Sequence, residues 1–522
     1  MEIGASYSSW SFLKQSGRIQ TRGVSVVRWV CQGKFFACLP GMIAILLCLS
    51  PVGSLSGSTS EEARPQGTSK VAPRPDILFV QAEVALDGNA SQRFPRGSRI
   101  VRLPSESKRP IQLTPEFFAA ADPQVDFSGA KILFSAQSNP GANWQIWEMN
   151  ADGSQKRQIT NCAEDCLRPA YLPAGEIVFT VEHLRSGRPD SYLAVSMTDG
   201  SHVHRIVFSP GNFRLETVLR DGRVLASASS PLQDTETARK TRLLYTLRPD
   251  GAALESLRCN HRVSAVRDDA AELQDGSIIF VKKNGASPAS GGALAEVRAH
   301  GLGESLVGRL APEFRSPRPL SSGTVIVSRS AASRGSLQAK FDLYLFDLKK
   351  QMLGEVIYSD PKFSSIQAVP LVANPVPKRF WSTLDLESKT GYFIALNSYV
   401  SSEGANGRLA AAIARVRVLS LDNTGAGERS LGEAPVEKDG SFYVEVPANQ
   451  PVRFELLDAD GKTIVAERSW IWTRPGEQRG CAGCHGDKSL APENRWPLTL
   501  KRFDTPTALL EKNDAAEAAH AH

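Results

Sequence analysis

The chain has 522 residues, 41% of them hydrophobic and 22% charged, which is a globular composition too long for one ordinary domain; two or three are expected. Its net charge of +6 is spread without any run of five or more Lys/Arg and without a basic patch interleaved with aromatics, so nucleic acid is excluded as an expected partner.

At the N-terminus Lys14, Arg18, Arg22, Arg28 and Lys34 face only Glu2, and precede an apolar run over residues 35–49 and then Pro51-Val52-Gly53-Ser54-Leu55-Ser56. That order is a signal sequence. The run is interrupted by Pro40-Gly41 and falls short of the roughly 20 residues that cross a bilayer. Residues 1–56 are therefore read as a signal peptide cleaved near Ser54 or Ser56 or, if retained, as an N-terminal anchor that would give membrane association. No small residue precedes Cys48, which argues against a lipoprotein. Either way the body is expected in the periplasm or another extracytoplasmic space. Residues 57–74, rich in Ser, Gly, Glu, Pro and Lys, read as a flexible linker.

Over residues 75–373 a short apolar strand recurs six times, starting at Ile77, Ile132, Ile177, Val224, Ile278 and Val325. Five of the six follow a turn: Ser128-Gly129, Ala174-Gly175, Asp221-Gly222, Asp275-Gly276 and Ser322-Gly323. A second strand follows each, often ending in Asp-Gly, as at Asp152-Gly153, Asp199-Gly200 and Asp250-Gly251. Strands and turns repeating at this interval predict a β-propeller, because one such sheet cannot bury both faces alone. Six blades are expected, or seven if strands near residues 366–372 add one. The unit from Asp126 to Gly153 resembles the repeat of TolB-type propellers, a likeness of fold and not of function. No Gly-x-Ser-x-Gly occurs, so a serine peptidase is excluded.

Cys162 and Cys166 would close a small disulfide loop in an oxidising compartment, or remain two thiols. Cys259 has no evident partner. His202 and His204, two residues apart, would share one face of an extended segment as a metal pair or distal haem contact, or else sit in a loop as surface histidines. His183, His261 and His300 complete the histidines of this region.

Asn374-Pro375-Val376-Pro377 breaks the pattern. Residues 374–505 then read as a second β-rich domain, with apolar alternation around Asp439-Gly440 and Asp460-Gly461 describing the hairpins of a small sandwich. Within it lies Cys481-Ala482-Gly483-Cys484-His485. Cys-x-x-Cys-His is the attachment signature of haem c: two thiols form thioethers with one porphyrin, and the adjacent imidazole lies beneath the iron. Neither a second Cys/His pair nor a βαβ pattern accompanies it, against zinc and thioredoxin-type readings. One covalent haem c is expected on Cys481 and Cys484, with His485 as the iron ligand. All five methionines precede the motif, so the sixth position is expected to be open or water-bound, or else filled by a propeller or sandwich side chain or by His520 or His522 of the tail. Only 37 residues follow His485, so the haem is expected to pack on the sandwich, the propeller rim or both. Residues 506–522 read as a disordered tail.

The Ala434-Pro435 hairpin with Asp439-Gly440-Ser441-Phe442, the Ser469-Trp470 stretch, and Pro475-Gly476-Glu477 running into Arg479-Gly480-Cys481 together resemble the middle domain of the hydrazine synthase alpha-subunit family. The resemblance is specific over about residues 376–500 and implies that the middle-domain haem is catalytic. Where that family is thought to place an iron-binding tyrosine four residues after the motif histidine, this chain has Ser489, so a divergent relative is expected and His485 keeps the role of proximal ligand. The residues thus describe an all-β, exported haem protein with a six-bladed TolB-like propeller and a sandwich. Its expected role is electron transfer or small-molecule redox chemistry, with a redox partner protein or small-molecule substrate. Two alternatives stand beside it: an enzyme acting on small nitrogen compounds, and a non-catalytic binding propeller with a structural or sensory haem.

Overall fold

Six four-stranded antiparallel sheets and a two-sheet sandwich account for nearly all the regular structure of the computed structural model. It describes residues 74–510 apart from 84–93, 95–96, 186–187, 230–240, 258–264, 284–290, 300–302, 309–312, 331–339, 402–403, 422–426, 468 and 484–494. The signal segment 1–56, most of the linker, Cys259, His261, His300, Cys484, His485, Ser489 and residues 511–522 lie outside the described residues.

The recurring apolar strands are the second strand of each blade, counted from the axis: Ile77–Glu83, Lys131–Gln137, Glu176–Arg185, Val224–Ser229, Ile278–Lys283 and Thr324–Ser330. Lying between two ladder partners and packed on both faces, they read as unbroken apolar runs. Phe79, Phe134, Phe179, Ala226, Phe280 and Val327 hold the same place in the six repeats, and none is exposed at all. Burying each such aromatic contributes roughly 1.5–3 kcal/mol.

Closure is by exchange of chain ends. The strand Phe363–Pro370 pairs antiparallel with Ile77–Glu83 and becomes the innermost strand of the first blade, so the strand near residue 366 completes the first of six blades and does not begin a seventh. Innermost strands then touch their neighbours all the way round, from Ala119–Val125 to Glu313–Ser321 and back to Phe363–Pro370. Every innermost strand is broken by a bulge at the same level. At these bulges Asp122, Arg168, Glu216, Asp269, Ser316 and Gln367 approach the axis and line one cavity. Five of them, all but Glu216, have φ between 49° and 57°. Side chains from one blade accept from bulge amides of the next: Gln367 from Asp122 N (2.9 Å), Asp122 from Arg168 N (3.1 Å), Glu216 from Ala270 N (3.0 Å) and Asp269 from Ser316 N (2.9 Å). A bulge frees amides from the ladder, and these acceptors satisfy them.

Cys162 and Cys166 are joined as a disulfide. His202 has φ 55°, so the segment is not extended there; His204 lies in the two-residue outer strand His204–Arg205, and its Nδ1 is 2.9 Å from the His202 carbonyl. Both are exposed histidines, and no group of three metal-binding side chains occurs among the described residues.

Residues 371–389 hold no strand, yet they are tied to the propeller: Asn374 N donates to Phe127 O (2.9 Å) and Lys378 N to Arg220 O (3.0 Å). Gly222 (φ 90°) is required here, because a Cβ would lie 2.0 Å from the Lys378 carbonyl oxygen. In the sandwich one sheet runs Gln478–Cys481, Thr390–Ala395, Phe442–Pro447, Thr507–Ala508, and the other Glu428–Pro435, Arg415–Leu421, Val452–Leu457, Thr463–Ala466. Phe393, Phe442, Val444 and Val446 of the first bury against Val416, Val418, Phe454 and Leu456 of the second, with Phe393 edge-on to Phe454 at 5.0 Å. Asp460-Gly461 does turn a hairpin, but Asp439-Gly440 carries the chain from one sheet to the other. The tail expected from residue 506 is ordered as far as 510: Thr507–Ala508 pairs parallel with Phe442–Pro447 and Leu509 enters the core.

Candidate functional site

The segment that carries Cys481 is a strap between the two domains. Ile471 bridges the sandwich strand Val452–Leu457 through paired bonds with Val452 (2.7 and 2.9 Å). The next side chain along, Trp472, instead enters the propeller core between the third and fourth blades. It is 1% exposed, edge-on to Phe213 at 5.9 Å, with Nε1 donating to Gly251 O (3.2 Å). Arg474 donates through Nε to Asp250 O (2.8 Å) and through Nη1 to Asn449 Oδ1 (2.5 Å), and stacks over Phe208 at 5.0 Å. Burial lowers its guanidinium below the usual value, with Asp250 and Glu477 opposing. Glu477 accepts from Ala253 N (2.8 Å) and from Arg474 N (2.7 Å). Arg479 donates to Leu254 O (2.7 Å) and Trp472 O (2.6 Å). Charged groups bonded this fully are fixed in position, so the strand that follows leaves the propeller in one direction.

That strand, Gln478–Cys481, pairs parallel with Thr390–Ala395 at the edge of the first sandwich sheet, Cys481 opposite Ala395. Leu396 N donates to Cys481 O (2.9 Å). Cys481 is half-buried and a free thiol, pushed up from its ordinary value by burial. Two residues on, Gly483 lies so close to Val400 that a Cβ would come within 2.5 Å of the Val400 carbonyl oxygen, so only glycine fits. Leu396, bonded to Cys481, also lines a cavity of about 490 Å³ whose walls include Tyr399, Trp496 and the cations Arg408, Lys438, Arg495 and Lys501. Asp439, also in the wall, is held below its ordinary value: burial raises it, while Ser441 and the Leu498 amide outweigh that.

Of the three residues read from the motif, the structure places Cys481; Cys484 and His485 lie outside the described residues. The donor chemistry fits a haem: a free thiol at a sheet edge, a neighbouring cavity with aromatic and aliphatic walls, and four cations to receive two carboxylates. The clamp residues Trp472, Arg474, Glu477 and Arg479 were visible only as a stretch leading into the motif, since their propeller partners are blade-turn carbonyls and amides more than 200 residues earlier.

Fold and site together define a class: a closed six-bladed propeller strapped to a two-sheet β-domain whose edge strand opens a Cys-x-x-Cys-His motif. Residues 400–486 match the family described as the hydrazine synthase alpha subunit middle domain. The hydrazine synthase subunit alpha of Kuenenia stuttgartiensis is 25% identical over 80% of this chain and 67% of its own length. The Kuenenia stuttgartiensis hydrazine synthase structure superposes with a TM-score of 0.71 at 20% identity, covering 82% of this chain and 72% of that one. Over residues 400–486, then, the chain is similar to the middle domain of the hydrazine synthase alpha subunit. TolB from Acinetobacter baumannii aligns at a TM-score of 0.41, with 11% identity over 56% of this chain and 66% of its own; the six-bladed ring itself rests on the strand pairing above.

Proposed function

We propose that this protein is a haem-dependent relative of the hydrazine synthase alpha subunit that acts on a small nitrogen compound, with one haem c on Cys481 and Cys484 and His485 as proximal ligand. The observation that carries it is the likeness to a hydrazine synthase subunit across both propeller and sandwich, with the family match running through the motif. That likeness supports an enzyme on small nitrogen compounds over an exported electron carrier, which the motif alone puts first. Export through the leader and assembly with other subunits are part of the same reading.

When bound, the haem would supply an iron centre for redox chemistry and small-ligand binding. The chain's own contribution is placement. Pairing with Thr390–Ala395 holds the first thiol, and the close approach of Gly483 to Val400 fixes the backbone just after it. Arg408, Lys438, Arg495 and Lys501 would neutralise the carboxylates of a haem, while Tyr399 and the exposed Trp496 would offer it flat apolar faces.

Expression with a c-type maturation system tests this. Haem should survive acid-organic extraction, Cys481→Ser should leave at most one thioether, ferrous protein should bind carbon monoxide, and hydroxylamine should perturb the spectrum. Protein without covalent haem would end the reading. A low-spin spectrum indifferent to both ligands would return electron transfer to first place.

A further inference from the structure

The turn Asp439-Gly440-Ser441, which carries the chain from one sandwich sheet to the other, also joins the two walls of the cavity beside Cys481. One wall is the short 3₁₀ turn Leu498–Lys501 with Arg495 and Trp496 ahead of it. The first amides of a helical turn need acceptors from outside it, and the residue at its cap, Pro497, has no side chain to offer one. The sandwich supplies them: Leu498 N donates to Asp439 Oδ2 (2.8 Å) and Thr499 N to Ser441 Oγ (3.0 Å). The same carboxylate aims Ser441, which donates to Asp439 Oδ1 through Oγ (2.7 Å) and N (3.0 Å).

The opposite wall holds Leu396, Asn397 and Tyr399. Ser398 N donates to Gly440 O (2.8 Å), and Gly440, at φ 83°, lies so close that a Cβ would come within 2.7 Å of Asn397 Oδ1. Leu396 N in turn donates to Cys481 O (2.9 Å). Bonds from one turn thus fix the cationic wall relative to the strand that carries the thiol. Asp439 is the only acid among the described residues lining the cavity, and its oxygens are taken by two amides and a hydroxyl.

We infer that Asp439 is a positioning residue for the cofactor: through Leu498 it sets where Arg495, Trp496 and Lys501 stand relative to Cys481. The inference rests on the haem reading above, in which those cations receive carboxylates. An asparagine has the same size but only one acceptor oxygen, so it cannot serve Leu498 and Ser441 at once.

The test uses the full chain, matured with haem. Asp439→Asn should keep its covalent haem and far-ultraviolet circular dichroism, because the Cys481 strand is untouched, but its Soret circular dichroism, which reads the surroundings of the porphyrin, should lose intensity. Arg502→Gln removes a pair with Glu437 (3.1 Å) beside the same turn and no bond to the cavity wall, so it should leave that band unchanged. An unchanged band in Asp439→Asn, or an equal loss in Arg502→Gln, overturns the inference. Hydrogen exchange decides with or without haem: in Asp439→Asn the amides of 497–501 should exchange about tenfold faster, and those of Gln478–Cys481 at the wild-type rate. No acceleration at 497–501, or the same acceleration in both segments, overturns it as well. Should Asp439→Asn not fold, Ser441→Ala, which removes the Thr499 bond, must meet the same expectations. A wild type without covalent haem ends the haem reading, and the exchange rates alone then decide for Asp439.

Discussion

The propeller and the sandwich solve the problem of an open sheet edge differently. The propeller joins its two ends: Phe363–Pro370 completes the blade begun by Ile77–Glu83, and the inner edges turn toward a polar axis where side chains of one blade hold the amides of the next. The sandwich leaves its first sheet with a four-residue parallel strand at one edge, Gln478–Cys481, and a two-residue one at the other, Thr507–Ala508. It borrows rigidity at the first of these from the propeller through Trp472, Arg474 and Arg479. A closed ring is a scaffold that needs no partner, while an edge held from outside can present chain to a cofactor without pairing there with another molecule.

Cutting the loan should have the largest effect. Trp472→Ala removes a fully buried indole from the core between the third and fourth blades and should cost about 3–5 kcal/mol by denaturant titration. Proteolysis within residues 371–389 should also speed up, since the strap anchored at Gly251 is gone; an unchanged cleavage rate would mean that the domains hold together without it.

Weakening the ring's own clasp should come next. Asp269→Asn removes a buried charge matched by Arg315, Lys283 and Arg168, at a cost of about 3 kcal/mol near pH 7. Because the folded-state value of Asp269 lies below its ordinary one, its contribution is complete above the ordinary carboxylate range and is lost as pH falls through and below it. The stability gap between wild type and Asp269→Asn should therefore narrow below about pH 4. A constant gap would show that the charge is not what the site uses.

The smallest effect is expected for Cys162→Ser with Cys166→Ser. Opening so short a loop should cost about 2 kcal/mol and leave the ring closed, as read by melting temperature and circular dichroism.

The second strand of each blade was legible because it lies between two partners and reads as an aliphatic run. The innermost strands were not. Asp122-Pro123, Arg168-Pro169 and Ser316-Pro317-Arg318-Pro319 carry charge and proline, which ordinarily argue against a strand, and only an inner edge with a bulge permits both. The Asp439-Gly440 turn looks locally like Asp460-Gly461, yet only the second joins paired strands; the difference lies in which sheet receives Phe442, a tertiary matter. At the site, Cys481 was visible from motif spacing alone. Arg408, Lys438, Arg495 and Lys501 carry no local signal, since sheet packing gathers them from three separate turns and loops.

Ring closure also sets an order of events. The partners Ile77 and Pro370 are nearly 300 positions apart, so the first blade stays incomplete until almost the whole propeller has been synthesised. Contacts between such distant segments form late and slowly, because chain entropy must be given up before they are made. Cys481 lies a further hundred or so residues along and depends on a groove between blades that are already folded. In a chain emerging from its N-terminus the ring would thus set first, and the Cys481 thiol would come to lie on a surface that has finished forming.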